Sequence, residues 1–302
     1  MPERRPIPDM LFVPGIDEAK LEKMWRLTSS GFVMDLEDAV AIERKPAARK
    51  LVGEHLDRAA AAGDDGHRLY VRMNGLTTSH ALADLRAVVR PGLIGLMIPK
   101  VASARDVQVV DWVVTQLEGE QAMAPGRVEL LASLESAQGL LNARDIARSS
   151  PRLRCLSFGA GDLSADLGVP LQHAESGTDV AAFVMALKAG LVLASREAGI
   201  EPPHDGAYTQ YRNLEGLRRS TQTDRAIGFS GRHAIHPDQV PVIAEVFRPS
   251  VEEVEWAQRI VSGFQAQEAA GNASMTIGED FVDYAIAARA EGLLELARRG
   301  ST

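Results

Sequence analysis

The chain is poor in cysteine. Cys155 stands alone among 302 residues, which excludes an internal disulfide framework and any thiolate metal cluster. Long hydrophobic runs are missing as well, none approaching the roughly 20 residues that a membrane-spanning helix needs. Basic charge is scarce: Lys and Arg number 33 against 41 Asp and Glu, a formal net charge of −8. No electrostatic footprint for nucleic acid follows, and an anionic ligand requires locally placed Arg, Lys or metal. Met1–Met10 is proline-rich, with two arginines, and lacks the apolar core of a secretory signal. These absences lead us to expect a soluble, cytoplasmic protein with no membrane partner. A Gly-rich dinucleotide turn, a P-loop, a Gly-x-Ser-x-Gly elbow and zinc-ligand spacing are all lacking. No low-complexity linker divides the chain.

What is present is an ordinary globular mixture, 45% apolar and 25% charged, in which short apolar runs alternate with amphipathic stretches. Strands are expected at Met10–Gly15, Phe32–Glu37, Arg68–Asn74, Ile94–Lys100, Val128–Glu135, Leu153–Gly159, Pro203–Tyr208 and Phe229–His236. Several are almost continuously apolar, as in strands of a parallel sheet buried on both faces. Helical segments include Glu18–Thr28, Lys45–Ala62, Ala104–Leu117 and Thr178–Ala198. Ser103 with Asp106, and Ser250 with Glu253, read as capping boxes at helix starts. Eight strands, each followed by a helix, predict a (β/α)8 TIM barrel over residues 1–249. The segments Ser250–Ala270 and Phe281–Arg299 exceed what a barrel needs. They predict a C-terminal helical extension over 250–302, part of the same unit, that packs on a neighbouring subunit or caps the site.

Reactive residues of such barrels sit where strands end. The second strand ends in Asp35, Glu37 and Asp38, three acids that need cations or donors beside an apolar run; each alone also reads as a solvated loop acid or a helix cap. The third ends in Arg72, either a planar fork for a substrate carboxylate or a structural partner of the strand-two acids. Glu135 and Asp162 follow the fifth and sixth strands, a plausible pair for a hard divalent cation, although an acid after a strand is also a common helix cap. His233 and His236, three apart on a strand and followed by Pro237, face opposite sides and suit packing better than metal binding. Cys155 reads as a core residue.

Seven stretches at these strand ends resemble the HpcH/HpaI aldolase and citrate lyase β-subunit family, especially its CitE-like and malyl-CoA lyase branch. They are LFVPG at Leu11–Gly15, DLEDAV at Asp35–Val40, VRMNG at Val71–Gly75, IPK at Ile98–Lys100, LESAQG at Leu134–Gly139, FGAGDL at Phe158–Leu163 and AIHP at Ala234–Pro237. The resemblance implies a Mg²⁺-dependent barrel, trimeric or hexameric, that makes or breaks 3-hydroxyacyl-CoA thioesters of the malyl-, citramalyl- or citryl-CoA type. The products of cleavage are a 2-keto acid and an acyl-CoA. It also implies Glu135 and Asp162 as metal ligands, Arg72 as the residue binding the keto-acid end, and Glu37 and Asp38 as the acids that orient water around the metal. Asp283 matches the C-terminal acid that moves a proton at a neighbouring subunit's site. One extra residue in Gly278–Asp283 makes Asp280 the alternative, and Tyr284 replaces the family's usual proline. Lys45, Arg49 and Lys100 match contacts to the CoA phosphates. Rival readings are an aldolase on a free hydroxy-keto acid, an acyl-CoA thioesterase, a citrate lyase β-type subunit acting on an acyl carrier protein, and a non-catalytic ligand-binding barrel.

Overall fold

The computed structural model describes residues 5–63, 66–171, 177–278 and 280–299, the side chain of Asp280 excepted. Eight parallel strands close into a barrel in sequence order: β1 Asp9–Pro14, β2 Phe32–Asp35, β3 Leu69–Arg72, β4 Leu93–Ile98, β5 Glu129–Leu134, β6 Leu153–Phe158, β7 His204–Asp205 and β8 Gly231–Ala234. Ladders between β1 and β2 (Leu11 opposite Phe32) and between β1 and β8 (Met10 opposite His233) complete the ring. The helices are α1 Glu18–Met24, α2 Lys45–Ala62, α3 Ala81–Val88, α4 Ala104–Glu120, α5 Ala137–Leu141, α6 Ala143–Ala147, α7 Ala160–Leu167, α8 Asp179–Ala198, α9 Leu214–Ile227, α10 Gln239–Phe247, α11 Val251–Ala269 and α12 Tyr284–Arg299. The (β/α)8 barrel expected from the alternation is present. Its strands are shorter than their apolar runs because the polar end residues leave the ladder to form the mouth; β7 is reduced to two residues.

Local chemistry explains where helices begin. Ser103 and Asp106 form the capping box of α4, and Ser250 and Glu253 that of α11. The expected helix from Phe281 is corrected. Asp280–Val282 is a strand, β10, paired antiparallel with β9 at Met275–Ile277, and α12 begins only at Tyr284.

Inside the barrel Met10, Val33, Tyr70, Met97, Leu131 and Cys155 form a buried apolar layer. Cys155 is therefore a core residue. The N-terminal end is plugged by charge: the Tyr70 hydroxyl donates to Glu129 (2.9 Å), and Arg154 bonds both Glu129 (2.8 Å) and Glu201 (2.8 Å). In barrels of this kind the ligand site lies at the other end, where the strands end.

The chain separates into two compact units, one of Ile7–Ile243 and a second that joins Arg5 and Pro6 to the residues from Ala244, within α10, onward. In the second, Ala257, Ile260 and Phe264 of α11 pack with Ala287 and Ala290 of α12 and with Val282. No helix among the described residues is long and apolar enough to cross a membrane.

Candidate active site

Where β2 ends, the backbone folds back on the Asp35 carboxylate, which accepts from Glu37 N (2.9 Å) and Ala39 N (3.1 Å). Arg72, opposite Asp35 in register on β3, closes a bidentate pair with it, Nε at 2.8 Å and Nη2 at 2.7 Å. The structural reading of Arg72 is thus the one realised by two of its nitrogens. Asp35 takes that edge of the planar fork. Nη1 remains at the site, 3.1 Å from Glu37 Oε2 and 3.7 Å from Asp38 Oδ2. Burial opposes the Arg72 charge, but the carboxylates around it outweigh burial and hold it above its ordinary value. Burial raises Glu37, against the pull of Arg72 and Lys100.

Glu135 follows β5 directly and is 8% exposed. Its chain lies over Gly159, where a Cβ would come within 2.3 Å of Glu135 Cγ; this close approach is why glycine stands there. Asp162 follows β6, in the first turn of α7. Burial, reinforced by a hydrogen bond to the Asp162 carboxyl and by the Glu37 and Asp162 charges, pushes Glu135 up to about 8. Glu135 Oε2 is buried and has no hydrogen-bond partner. Two neighbouring carboxyl groups that repel, one with an orphaned buried oxygen, are a donor set suited to a hard divalent cation. Among the described residues no three His, Cys, Asp or Glu side chains form a ready-made cage. A cation here would draw its remaining ligands from water and substrate, which is the habit of Mg²⁺.

The structure thus brings Glu37, Asp38, Arg72, Lys100, Glu135 and Asp162 into one cluster. Lys100 Nζ lies 3.0 Å from Glu37 Oε1 and 3.7 Å from both Asp38 and Asp162. The ammonium that the resemblance assigns to a CoA phosphate is here among these carboxylates. Lys45, assigned the same way, is buried, and its ammonium donates to the carbonyls of Leu36 (2.9 Å) and Glu37 (3.0 Å), pinning the loop that carries Glu37 and Asp38. Arg49 is tied to the fully buried Asp84 (2.8 Å). It also lines an open groove of about 680 Å³ between α2 and α3, with Lys50, Arg86 and Arg90, that includes none of the six clustered residues.

Asp283 belongs to the second unit, where its carboxylate caps α12 by accepting from Ala285 N (3.0 Å) and Ile286 N (3.1 Å). The Asp280 side chain lies outside the described residues. His233 is buried against Phe12 at 5.3 Å between ring centroids, and burial lowers it to about 4. His236 stacks on Tyr211 at 5.2 Å.

Two supports had no place in the sequence reading. Asp84 accepts from Asn74 N (2.8 Å) and Nδ2 (2.6 Å) and fixes the loop after β3. Gln239, fully buried, accepts from Ile235 N (2.8 Å) and donates to Tyr208 O (2.8 Å), joining the loops after β7 and β8. Asp84 carried a signal: it falls on the apolar face of α3 with Ala81, Leu85 and Val88, where an unpaired acid would be costly.

Comparison with known proteins agrees with this architecture. Residues 9–237 match the HpcH/HpaI aldolase/citrate lyase family. A (3S)-malyl-CoA thioesterase of Cereibacter sphaeroides is 35% identical over 285 residues, covering 93% of this chain and 91% of that protein. The L-malyl-CoA/beta-methylmalyl-CoA lyase of Rhodobacter capsulatus is 33% identical over 303 residues, covering 95% and 93%. The crystal structure of the protein CitE from Mycobacterium tuberculosis, in complex with magnesium, acetoacetate and coenzyme A, superposes with a TM-score of 0.75 at 26% identity, covering 97% of this chain and 98% of that one. The chain belongs to the HpcH/HpaI aldolase/citrate lyase family and is an enzyme of its carbon–carbon lyase kind.

Proposed function

We propose that this protein makes or breaks the carbon–carbon bond of a 3-hydroxyacyl-CoA thioester, with a 2-keto acid and an acyl-CoA as the products of cleavage, and with Mg²⁺ held by Glu135 and Asp162. The observation that carries the reading is the Glu135–Asp162 pair at adjacent strand ends, with Glu135 Oε2 buried and unbonded. Support comes from the Rhodobacter capsulatus lyase and from the magnesium, acetoacetate and coenzyme A of the Mycobacterium tuberculosis complex.

When bound, the cation supplies Lewis-acid charge beside the substrate oxygen that becomes, or ceases to be, a carbonyl. Arg72 adds its Nη1 edge as a fixed positive group whose orientation Asp35 maintains. Glu37 and Asp38, set by Lys45 beneath and by Arg72 and Lys100 beside them, orient water at the site. In cleavage the substrate hydroxyl gives its proton to water at the site as it becomes a carbonyl, and the electron pair of the breaking carbon–carbon bond passes to the carbon next to the thioester, which takes a proton from a carboxylic acid. Asp283, from a neighbouring subunit of a homo-oligomer, is the acid we assign; in synthesis the same carboxylate removes that proton.

Incubation with malyl-, citramalyl- and citryl-CoA, followed by chromatography of the products, tests the proposal. A lyase yields keto acid and acyl-CoA in equal amounts. The 35% identical thioesterase favours one second reading, in which water takes the acyl group and free CoA leaves. Free CoA in place of acyl-CoA would establish that reading, while turnover of only the carrier-bound or free acid would remove CoA from both.

A further inference from the structure

Lys100 sits directly after the Ile98-Pro99 end of β4 with φ at +53°. This left-handed conformation suits glycine, and a long side chain adopts it only where something holds it there. Among the described non-glycine residues only Ala122 shares it, at φ +52°, in an exposed turn after α4 where no charge is held. Lys100 differs because its ammonium reaches three carboxylates from two segments, Glu37 at 3.0 Å, Asp38 at 3.7 Å and Asp162 at 3.7 Å. Its side chain is 45% exposed, so burial does not account for the placement. Arg72 reaches Asp35, Glu37 and Asp38; Lys100 is the cation shown to reach Asp162 as well.

We propose that Lys100 is a positioning residue of the cation site, whose ammonium competes with the divalent cation for Asp162 and, once displaced from it, holds Glu37 and Asp38 in place. The inference rests on the assignment of Glu135 and Asp162 as cation ligands. A lysine charge a few ångströms from a ligand oxygen weakens metal binding by repulsion and by occupying the same carboxylate. The site is therefore tuned below the affinity its carboxylates alone would give. Glycine would satisfy the backbone but supply no charge, so the lysine is kept in a strained conformation for its ammonium.

The test is metal binding by the full-length protein without substrate, read as the loss of free Mn²⁺ signal in electron paramagnetic resonance with Mg²⁺ as competitor. Lys100→Gly and Lys100→Met should bind the metal about tenfold more tightly, and Lys100→Arg should stay within about twofold of wild type. With metal saturating, turnover should fall in the Gly and Met variants and recover in the Arg variant. A purely structural lysine cannot produce that opposite movement of affinity and rate, and the Gly variant relieves the backbone, so misfolding cannot imitate it. Unchanged or weaker metal binding in both neutral variants would overturn the inference alone. Absence of metal binding by the wild type would overturn the cation site and this inference together.

Discussion

The two ends of the barrel are both charged, and they are charged differently. At the floor, Glu129 lies between Tyr70 and Arg154, and Arg154 continues to Glu201, so acids and bases alternate along hydrogen bonds of 2.8–2.9 Å. At the mouth, among the described residues, Asp35, Glu37, Asp38 and Asp162 have Arg72 and Lys100 as their ion-pair partners, with Glu135 beside them. There one oxygen each of Glu37 and Glu135 is buried without a hydrogen bond. A closed network of charge holds a fold together. An open, acid-rich one carries repulsion that a ligand can relieve, and it marks the functional end more sharply than burial does.

Substitutions at the two ends should separate these roles. The largest effect is expected from Glu135→Ala, which should abolish Mg²⁺-dependent turnover. Because it removes a buried carboxyl with an unbonded oxygen, the melting temperature of the metal-free protein should hold or rise. A wild-type rate in this variant would remove Glu135 from the cation site. Arg154→Met is expected to do the opposite, leaving Glu129 and Glu201 without their shared base. Urea unfolding should show a loss of about 3–5 kcal/mol, with Mg²⁺ affinity unchanged. A stable Arg154→Met protein would mean that the floor does not bear on the fold.

The pH dependence sharpens the contrast. Glu135 is raised from 4.5 to about 8 in the folded, metal-free chain. Below pH 4.5 the group is protonated whether folded or unfolded, so it opposes folding nowhere in that range. Between pH 4.5 and 8 the unfolded chain releases the proton and the folded chain keeps it, so stability declines as pH rises and levels off above 8. Saturating Mg²⁺ replaces the proton and should abolish the decline. Melting curves from pH 5 to 9, with and without Mg²⁺, provide the check; a slope that persists in Glu135→Ala would assign it to another group. The smallest effect is expected from Lys45→Met, which removes two hydrogen bonds to carbonyls. It should destabilise by about 1–3 kcal/mol and leave the KM for an acyl-CoA within about twofold. A large rise in that KM would restore Lys45 to the phosphates.

Much of this was legible in the sequence because strand ends announce themselves. Polar residues at or just after the ends of apolar runs, Glu37, Asp38, Arg72, Glu135 and Asp162, are those that the barrel gathers at its mouth; Lys100 stood out only through the family resemblance, in another role. What ran parallel to the chain was readable: the strand order, the capping boxes at Ser103 and Ser250, and the core position of Cys155. What depends on side-chain direction was not. Lys45 and Lys100 look alike as basic residues near strand ends, yet one turns inward onto carbonyls and the other into the carboxylates. Arg72 leaves room for both readings because a guanidinium has three nitrogens to distribute: Nε and Nη2 bond Asp35, and Nη1 stays at the site. The helix expected from Phe281 starts only at Tyr284 because the pairing of Phe281 and Val282 with Met275–Ile277 is a tertiary contact that local pattern does not encode.

The central claim is that a divalent cation at Glu135 and Asp162 makes the open end of the barrel a carbon–carbon lyase. The most direct test is the rate of keto-acid release from malyl-, citramalyl- and citryl-CoA by the purified protein as Mg²⁺ is added, withdrawn with EDTA and added back. The account predicts release from at least one thioester that stops with EDTA and returns with Mg²⁺. Release that continues undiminished in EDTA, or no release by folded protein with Mg²⁺ bound, would contradict it.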